Sequence, residues 1–406
     1  MTPTSSGSTG TQHGTESTSA RSWLSVGSIA LGSFVLVTTE FLPIGLLGRI
    51  AADMGVSDGT AGLMVTVPGL VAAVAAPAVT IAAGRIDRRL VLWALLALLA
   101  ISNLTATLAP NFAVMLVGRV LLGIGVGGFW AFAAGLGVRL VPAASGGRAT
   151  AIILAGISIG TVLGVPAGAW IGEVAGWRSA FAVTGTLAVL ALIGQWLLLP
   201  RLPVDEHVRL RSLMAVFSVP LARVGLVATT LLIGGHFAAY TYLQPLLARS
   251  EGVAASLITP LLLTYGLAGL VGTFAGEAAI ARSLRGALVG TSVVLGLTLL
   301  LAPFIVSGPV AAFIFVAIWG AAFGAVPLCL QTWMMRASPA GSEGGLALFV
   351  SVLQVALAVG SGVGGMVVDS FGVAGAMSVG SLFALTAGLV VFAFGAVAKP
   401  LRSQPA

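Results

Sequence analysis

Long apolar stretches alternate with short polar punctuation from about residue 22 to residue 397. Crossing about 30 Å of hydrocarbon takes roughly 20 apolar residues as a helix. Breaking the runs at charges, prolines and glycine clusters predicts helices over 22–47, 57–83, 90–109, 113–138, 147–170 and 178–199. A second set is predicted over 221–248, 255–281, 286–306, 309–335, 344–368 and 372–397. Barrel strands and soluble amphipathic helices do not give continuous runs of this length. The expected fold is therefore an all-α integral membrane protein with 12 transmembrane helices.

Composition agrees with this pattern and narrows the function. The chain is 58% hydrophobic and 8% charged, with a mean hydropathy of +1.10. A soluble domain carries roughly 25% charged residues, so most of this surface must face lipid. Residues 1–20 are Ser/Thr/Gly-rich and read as a disordered tail. The first apolar run begins too far in, and is too long, for a cleaved signal peptide.

Of 19 basic residues, Arg119 lies within a helix, and Arg49, Arg178 and Arg249 fall on one side. The remaining fifteen share the other side. That bias places both termini and the 200–220 linker in the cytoplasm. The formal charge of +7 thus sets topology and implies no nucleic-acid partner. Cys329 is the single cysteine and Lys399 the single lysine, so neither a disulfide nor a phosphate-binding Gly-Lys-Ser/Thr loop is available. His13, His207 and His236 form no metal-ligand pair, and no cofactor, metal or catalytic chemistry is expected.

The chain reads as two copies of one design. At an offset of 197, Val138–Ala143 aligns with Met335–Ala340, and Gly123 and Gly127 fall on Gly320 and Gly324. At an offset of 196, Gly164, Gly168, Glu173 and Gly176 fall on Gly360, Gly364, Asp369 and Gly372. Leu42-Pro43 matches Gln244-Pro245, which sets Glu40 opposite Tyr242; Arg119 falls opposite Val316. The expected organisation is a six-helix bundle over 21–199, a linker over 200–220, a second bundle over 221–398 and a tail over 399–406. Such 6+6 repeats place a solute site at the membrane midplane between the halves.

Several motifs carry a family resemblance. Thr39-Glu40-Phe41-Leu42-Pro43 with Gly45-Leu46-Leu47, and Gly118-Arg119 followed by Leu122-Gly123, resemble the major facilitator superfamily, within it the bacterial drug:proton antiporters. Gly127-Gly128-Phe129-Trp130-Ala131, Arg139-Leu140-Val141-Pro142, Gly176-Trp177-Arg178 and Tyr240-Thr241-Tyr242 are similar to the purine ribonucleoside efflux permeases. The resemblance covers residues 20–398 and departs at Leu90, where the superfamily signature has glycine, and at Gly164-Val165-Pro166, where the antiporters have Gly-Pro. It implies a major facilitator fold in a bacterial inner membrane. It also implies export of purine ribonucleosides such as inosine in exchange for protons, by a protein functional as a monomer.

Individual residues suggest roles. Glu40 lies about 10 Å below the predicted outer end of the first helix, where an acid needs a water-filled cavity or a partner. It is the candidate proton carrier, the structural alternative being an acid that bonds a neighbouring helix. Arg119 sits at nearly the same depth and is expected to pair with it, either as a switch or as a fixed bridge. Trp130, eleven residues on, shares a helix face with Arg119 and suits stacking on a planar base; its alternative is core filler. His236, Tyr240, Tyr242 and Gln244 in the seventh helix, with Gln331 and Gln354 further on, supply polar and aromatic groups for a nucleoside. Asp87, Arg88 and Arg89 are expected to act as a conformational latch between helix ends. Rival readings keep the fold and change the cargo to sugars or amphipathic drugs, or make the protein a channel or receptor.

Overall fold

The computed structural model describes residues 20–84, 86–132, 136–203, 216–337 and 343–395. The expected tail before Ala20, most of the linker, Ser338, Pro339 and Ala340 of the repeat, the last residues of the second bundle (396–398) and residues 399–406 lie outside the described residues. The first half contains α1 (Ala20–Met54), α2 (Asp58–Ala83), α3 (Arg88–Leu108), α4 (Phe112–Phe132), α5 (Gly146–Ala175) and α6 (Trp177–Leu198). The second begins with α7 (Pro220–Arg249), α8 (Ile258–Arg282), α9 (Leu284–Ile305) and α10 (Pro309–Ala337).

A final helical stretch, Glu343–Phe394, has 52 residues and would be about 78 Å long at 1.5 Å per residue. That is more than twice the hydrocarbon thickness. Gly372 (φ 74, ψ 177) interrupts it, giving α11 (343–371) and α12 (373–394). The described residues thus supply 12 membrane-length helices: eleven apolar helical stretches, the last of them double. The matched glycine of the first half, Gly176, has φ 83 and ψ 153 and separates α5 from α6 in the same way. An L-residue at either position would meet steric resistance to positive φ.

Helix packing repeats between the halves. An added Cβ at Gly123 or Gly127 of α4 would strike the α2 carbonyls of Pro68 and Ala72. One at Gly320 or Gly324 of α10 would strike the α8 carbonyls of Tyr265 and Gly269. These glycines let backbones touch, as small residues do between membrane helices. Likewise Gly164 and Gly168 of α5 lie on Thr38 and Leu42 of α1, while Gly360 and Gly364 of α11 lie on Gly234 and Ala238 of α7.

This second set corrects one alignment. The offset of 196 that relates the glycines also relates Thr38 to Gly234 and Leu42 to Ala238, so Glu40 corresponds to His236 and not to Tyr242. Matching Pro43 to Pro245 aligned two kinks, and a proline kinks a helix wherever along it the ring falls. Phe41 and its counterpart Phe237 stack on one another across the two halves, with centroids 5.7 Å apart and planes at 19°.

We refer to the end of the bundle holding residues 199–203 and 216–219 as the linker end, and to the opposite one as the far end. One continuous apolar core takes in the second half together with far-end residues of the first, from Leu42–Ala51 of α1 to Trp177 and Phe181 of α6. The linker-end residues of the first half, including Val26, Leu92, Leu122 and Ile153, form a separate core. The halves are therefore fused at the far end and have distinct cores towards the linker.

Candidate functional site

The far end of α1 reaches seven residues beyond its predicted limit, to Met54, so Glu40 stands about 21 Å from that end and not 10 Å. Only 4% of Glu40 is exposed. Its Oε1 accepts a hydrogen bond of 3.3 Å from Nε2 of Gln354 on α11, across the divide between the halves. On the preceding residue, the Thr39 hydroxyl accepts from Asn103 of α3 (3.2 Å), whose Oδ1 accepts from Thr184 of α6 (2.8 Å). This buried polar chain fixes the turn that presents Glu40.

Arg119 is fully buried, but its three described hydrogen bonds go to main-chain carbonyls. Nε donates to Met64 O (2.7 Å), Nη1 to Thr39 O (3.0 Å) and Nη2 to Glu40 O (3.0 Å). The sequence explains why those oxygens are available. A proline has no N–H to offer the carbonyl four residues earlier; Pro43 thereby frees Thr39 O, and Pro68 frees Met64 O. The guanidinium, with five donors in a rigid fork, supplies what both prolines withhold and pins α4 to α1 and α2. The expected pairing of Arg119 with Glu40 therefore takes a different form: the arginine holds the backbone of the Glu40 turn, while Gln354 holds its carboxyl group.

At the corresponding place in the second half sits His236, with none of its surface exposed. Trp319 Nε1 lies 3.2 Å from His236 Nδ1, and Tyr265 Oη lies 3.3 Å from Nε2. Indole N–H can only donate, so Nδ1 accepts, and the neutral ring carries its proton on Nε2 and donates to Tyr265. The rings of Phe323, His236, Tyr240 and Tyr265 run nearly parallel, successive planes within 24°. Trp319 stands at 77–88° to His236, Tyr240 and Tyr265. Phe237 joins this cluster to Phe41, one residue from Glu40.

The match to known proteins agrees with this architecture. Residues 29–346 fit the family model described as Major Facilitator Superfamily. The chain belongs to the major facilitator superfamily. It is 34% identical over 383 residues to the purine ribonucleoside efflux pump NepI of Salmonella paratyphi B, covering 94% of this chain and 95% of that protein. It is 33% identical to a Pseudomonas aeruginosa protein named transcription regulatory protein OpdE, covering 95% of this chain and 96% of that one. A bacterial homologue of the human lysosomal transporter Spinster, solved inward-facing and unoccupied, shares the fold with a TM-score of 0.72. The two are 16% identical, with 92% of this chain and 95% of that one covered.

In this major facilitator transporter, the remaining predicted residues fall in several places. His236 and Tyr240 are together in the aromatic cluster, but Tyr242 turns away at the break between Tyr240 and Leu243 of α7. There its hydroxyl donates to Ser361 O (3.0 Å). Gln244 is at the far end, its Oε1 accepting from Gly48 N (2.9 Å). Gln331 lies on an exposed part of α10. Trp130 is half-buried in the first half's linker-end core, edge-on to Phe129 at 6.4 Å.

Asp87 caps α3: its Oδ1 accepts from Arg89 N (3.0 Å) and Leu202 N (2.9 Å), and it pairs with the Arg89 guanidinium at 3.2 Å. Arg88 N donates to Leu202 O (3.0 Å). These contacts tie the start of α3 to the segment after α6, within one half. Trp319, Phe323, Phe41 and Phe237 escaped the sequence reading. The available signal was the spacing of aromatic residues four apart, as in His236–Tyr240 and Trp319–Phe323, among small residues.

Proposed function

We propose that this major facilitator transporter exports purine ribonucleosides such as inosine in exchange for protons, by alternating access. The observation that carries the reading is Glu40, a buried carboxyl group at the meeting of the halves, whose described side-chain hydrogen bond comes from an amide of the opposite half. A carboxyl group there can take up a proton from one side and release it to the other as the halves rock. The purine assignment is carried over from the efflux pump relatives, and the parallel ring stack around His236 supports it chemically, since planar bases stack on aromatic faces. His236, Tyr240, Tyr265, Trp319 and Phe323 are the proposed solute-facing group, Glu40 carries the proton and Arg119 positions its turn.

In the proposed orientation the linker end and both termini are cytoplasmic, following the arginine bias, and the far end faces outwards. The fused far end then corresponds to an inward-facing form. Asp87, Arg88 and Arg89 brace the first half as a unit, and one chain suffices for transport.

Uptake of radiolabelled inosine into everted vesicles tests this, with and without an inside-acid gradient. The reading expects gradient-driven uptake by the wild type and loss of the gradient's effect in Glu40→Gln. A well-folded wild type that accumulates no inosine contradicts the purine assignment; undiminished gradient-driven uptake by Glu40→Gln contradicts the proton role.

A further inference from the structure

One stripe of α11 forms the seam between the halves. Gln354 bonds Glu40 in the middle part of α1. Ala358 packs on Gly69, where an added Cβ would approach within 2.8 Å. Ser361 Oγ donates to Gly62 O (3.3 Å). Gly365 O lies where a Cβ on Gly59 would come within 2.3 Å. Asp369 accepts from Gly59 N (3.0 Å) and Ser57 Oγ (2.7 Å) at the start of α2. Positions 354, 358, 361, 365 and 369 follow the three-four spacing of one helix face. Close packing of this kind separates as a unit, because packed interfaces are bistable and not continuously deformable. The inner terminus of the stripe rests on the carboxyl group of Glu40.

We infer that Gln354 is a positioning residue that locks the far end shut whenever Glu40 is ionised and the carrier is empty; this rests on the reading of Glu40 as the proton site. An amide N–H to a carboxylate is a charge-assisted bond, roughly twice as strong as the neutral pair left after protonation. An ionised Glu40 therefore holds α11 against α1, and with it the whole seam out to Asp369. A proton on Glu40 weakens the hold. A solute that offers its own donor to the carboxylate displaces the Gln354 amide and frees the seam equally. The carrier then changes access when it holds a proton or a solute, and stays put when it holds neither. An exchanger needs that rule: movement of the empty, ionised form would complete a proton leak.

Other charged groups at the seam are accounted for. Arg119 from α4 bonds the Glu40 main chain, and Phe237 of α7 meets the adjoining Phe41. At the outer part of the seam, Asp369 holds α2, and Asp58 pairs with Arg249 of α7. Both acids belong to the same seam, so the experiment must separate their contribution from that of Glu40.

Spin labels at Glu173→Cys and Glu251→Cys, exposed far-end positions in opposite halves, report closure in a Cys329→Ser background. Proteoliposomes without solute report proton leak. For the wild type, one short far-end distance at alkaline pH should be joined by a longer one on acidification, with little leak. Gln354→Leu and the better volume-matched Gln354→Met should show the longer distance at alkaline pH also, and leak should rise roughly tenfold for loss of one charge-assisted bond. A role confined to stability would lower the melting temperature without moving the pH profile or the leak.

Glu40→Gln keeps Asp58 and Asp369 and should show no pH response. If Glu40→Gln abolishes the response while both Gln354 variants behave as wild type, the lock is overturned and the proton site stands. If Glu40→Gln still responds to pH, the proton reading fails, and the lock fails with it.

Discussion

The two halves share one helix plan and treat a matching pair of helices in opposite ways. In α1, Pro43 frees the Thr39 carbonyl, Arg119 fills the vacancy with a guanidinium N–H, and the helix continues unbroken to Met54. In α7, Pro245 likewise frees the Thr241 carbonyl, the residue matching Arg119 is the buried Val316, and the helix breaks at Thr241 and Tyr242. Glu40 in the first half has His236 as its counterpart, the acid bonded across the divide and the imidazole enclosed by aromatic rings of its own half. The halves share their packing glycines, and differ in that one buries an acid and an arginine where the other buries aromatic rings. The difference suggests a division of labour: the proton site in the first half, the stacking surface for the solute in the second.

The largest expected effect comes from removing the charge that distinguishes the first half. Arg119→Met leaves the carbonyls of Thr39 and Met64 unpaired in a buried site, where each such group costs about 1–3 kcal/mol. Its thermal unfolding midpoint in detergent should fall further than that of the other variants considered. Arg119→Lys should recover only part of the loss, since a point charge cannot span three carbonyls as the planar fork does. Adding Pro43→Ala and Pro68→Ala to Arg119→Met should also recover part, by returning N–H partners to both oxygens. No recovery would separate the arginine's role from the prolines.

An intermediate effect is expected where the halves meet. A Cβ at Gly62 would lie 1.9 Å from Tyr242 Oη, so Gly62→Ala should disfavour the far-end-closed form by about 1–3 kcal/mol. Far-end label distances should lengthen, and Tyr242→Phe should partly restore them by removing the obstructing oxygen. The smallest effect contrasts the aromatic residues of the two halves. His236→Gln should weaken inosine affinity by about tenfold, the worth of one or two buried hydrogen bonds. Trp130→Phe, in the linker-end core of the first half, should change affinity by less than about twofold. The reverse ranking would move solute recognition into the first half.

The helices were readable from the sequence because apolar length has few explanations in a membrane, and because Gly176 and Gly372 interrupt helical runs with positive φ. Glu40 and Arg119 stood out for the same reason: ionisable side chains are conspicuous within apolar helices. Trp319 and Phe323 did not, since an aromatic ring in an apolar helix has no contrast with its surroundings. The correspondence of α1 to α7 was lost because identical kinks outweighed packing faces in the alignment. Arg119's partners were hidden for a deeper reason: they are carbonyl oxygens, and only pairing each proline with the residue four before it reveals which are free. Gln244 and Tyr242 offer polar groups that would suit a solute, yet their hydrogen bonds lie in far-end packing.

The division of labour is tested most directly by counting protons released when inosine binds to purified protein in weakly buffered detergent solution, alongside the binding isotherm. The account predicts proton release by the wild type and none by Glu40→Gln. It predicts that His236→Gln binds more weakly but releases the same number of protons per inosine bound. If Glu40→Gln releases as many protons as the wild type, or if His236→Gln changes the number released per inosine, the proton site and the stacking surface do not lie in separate halves.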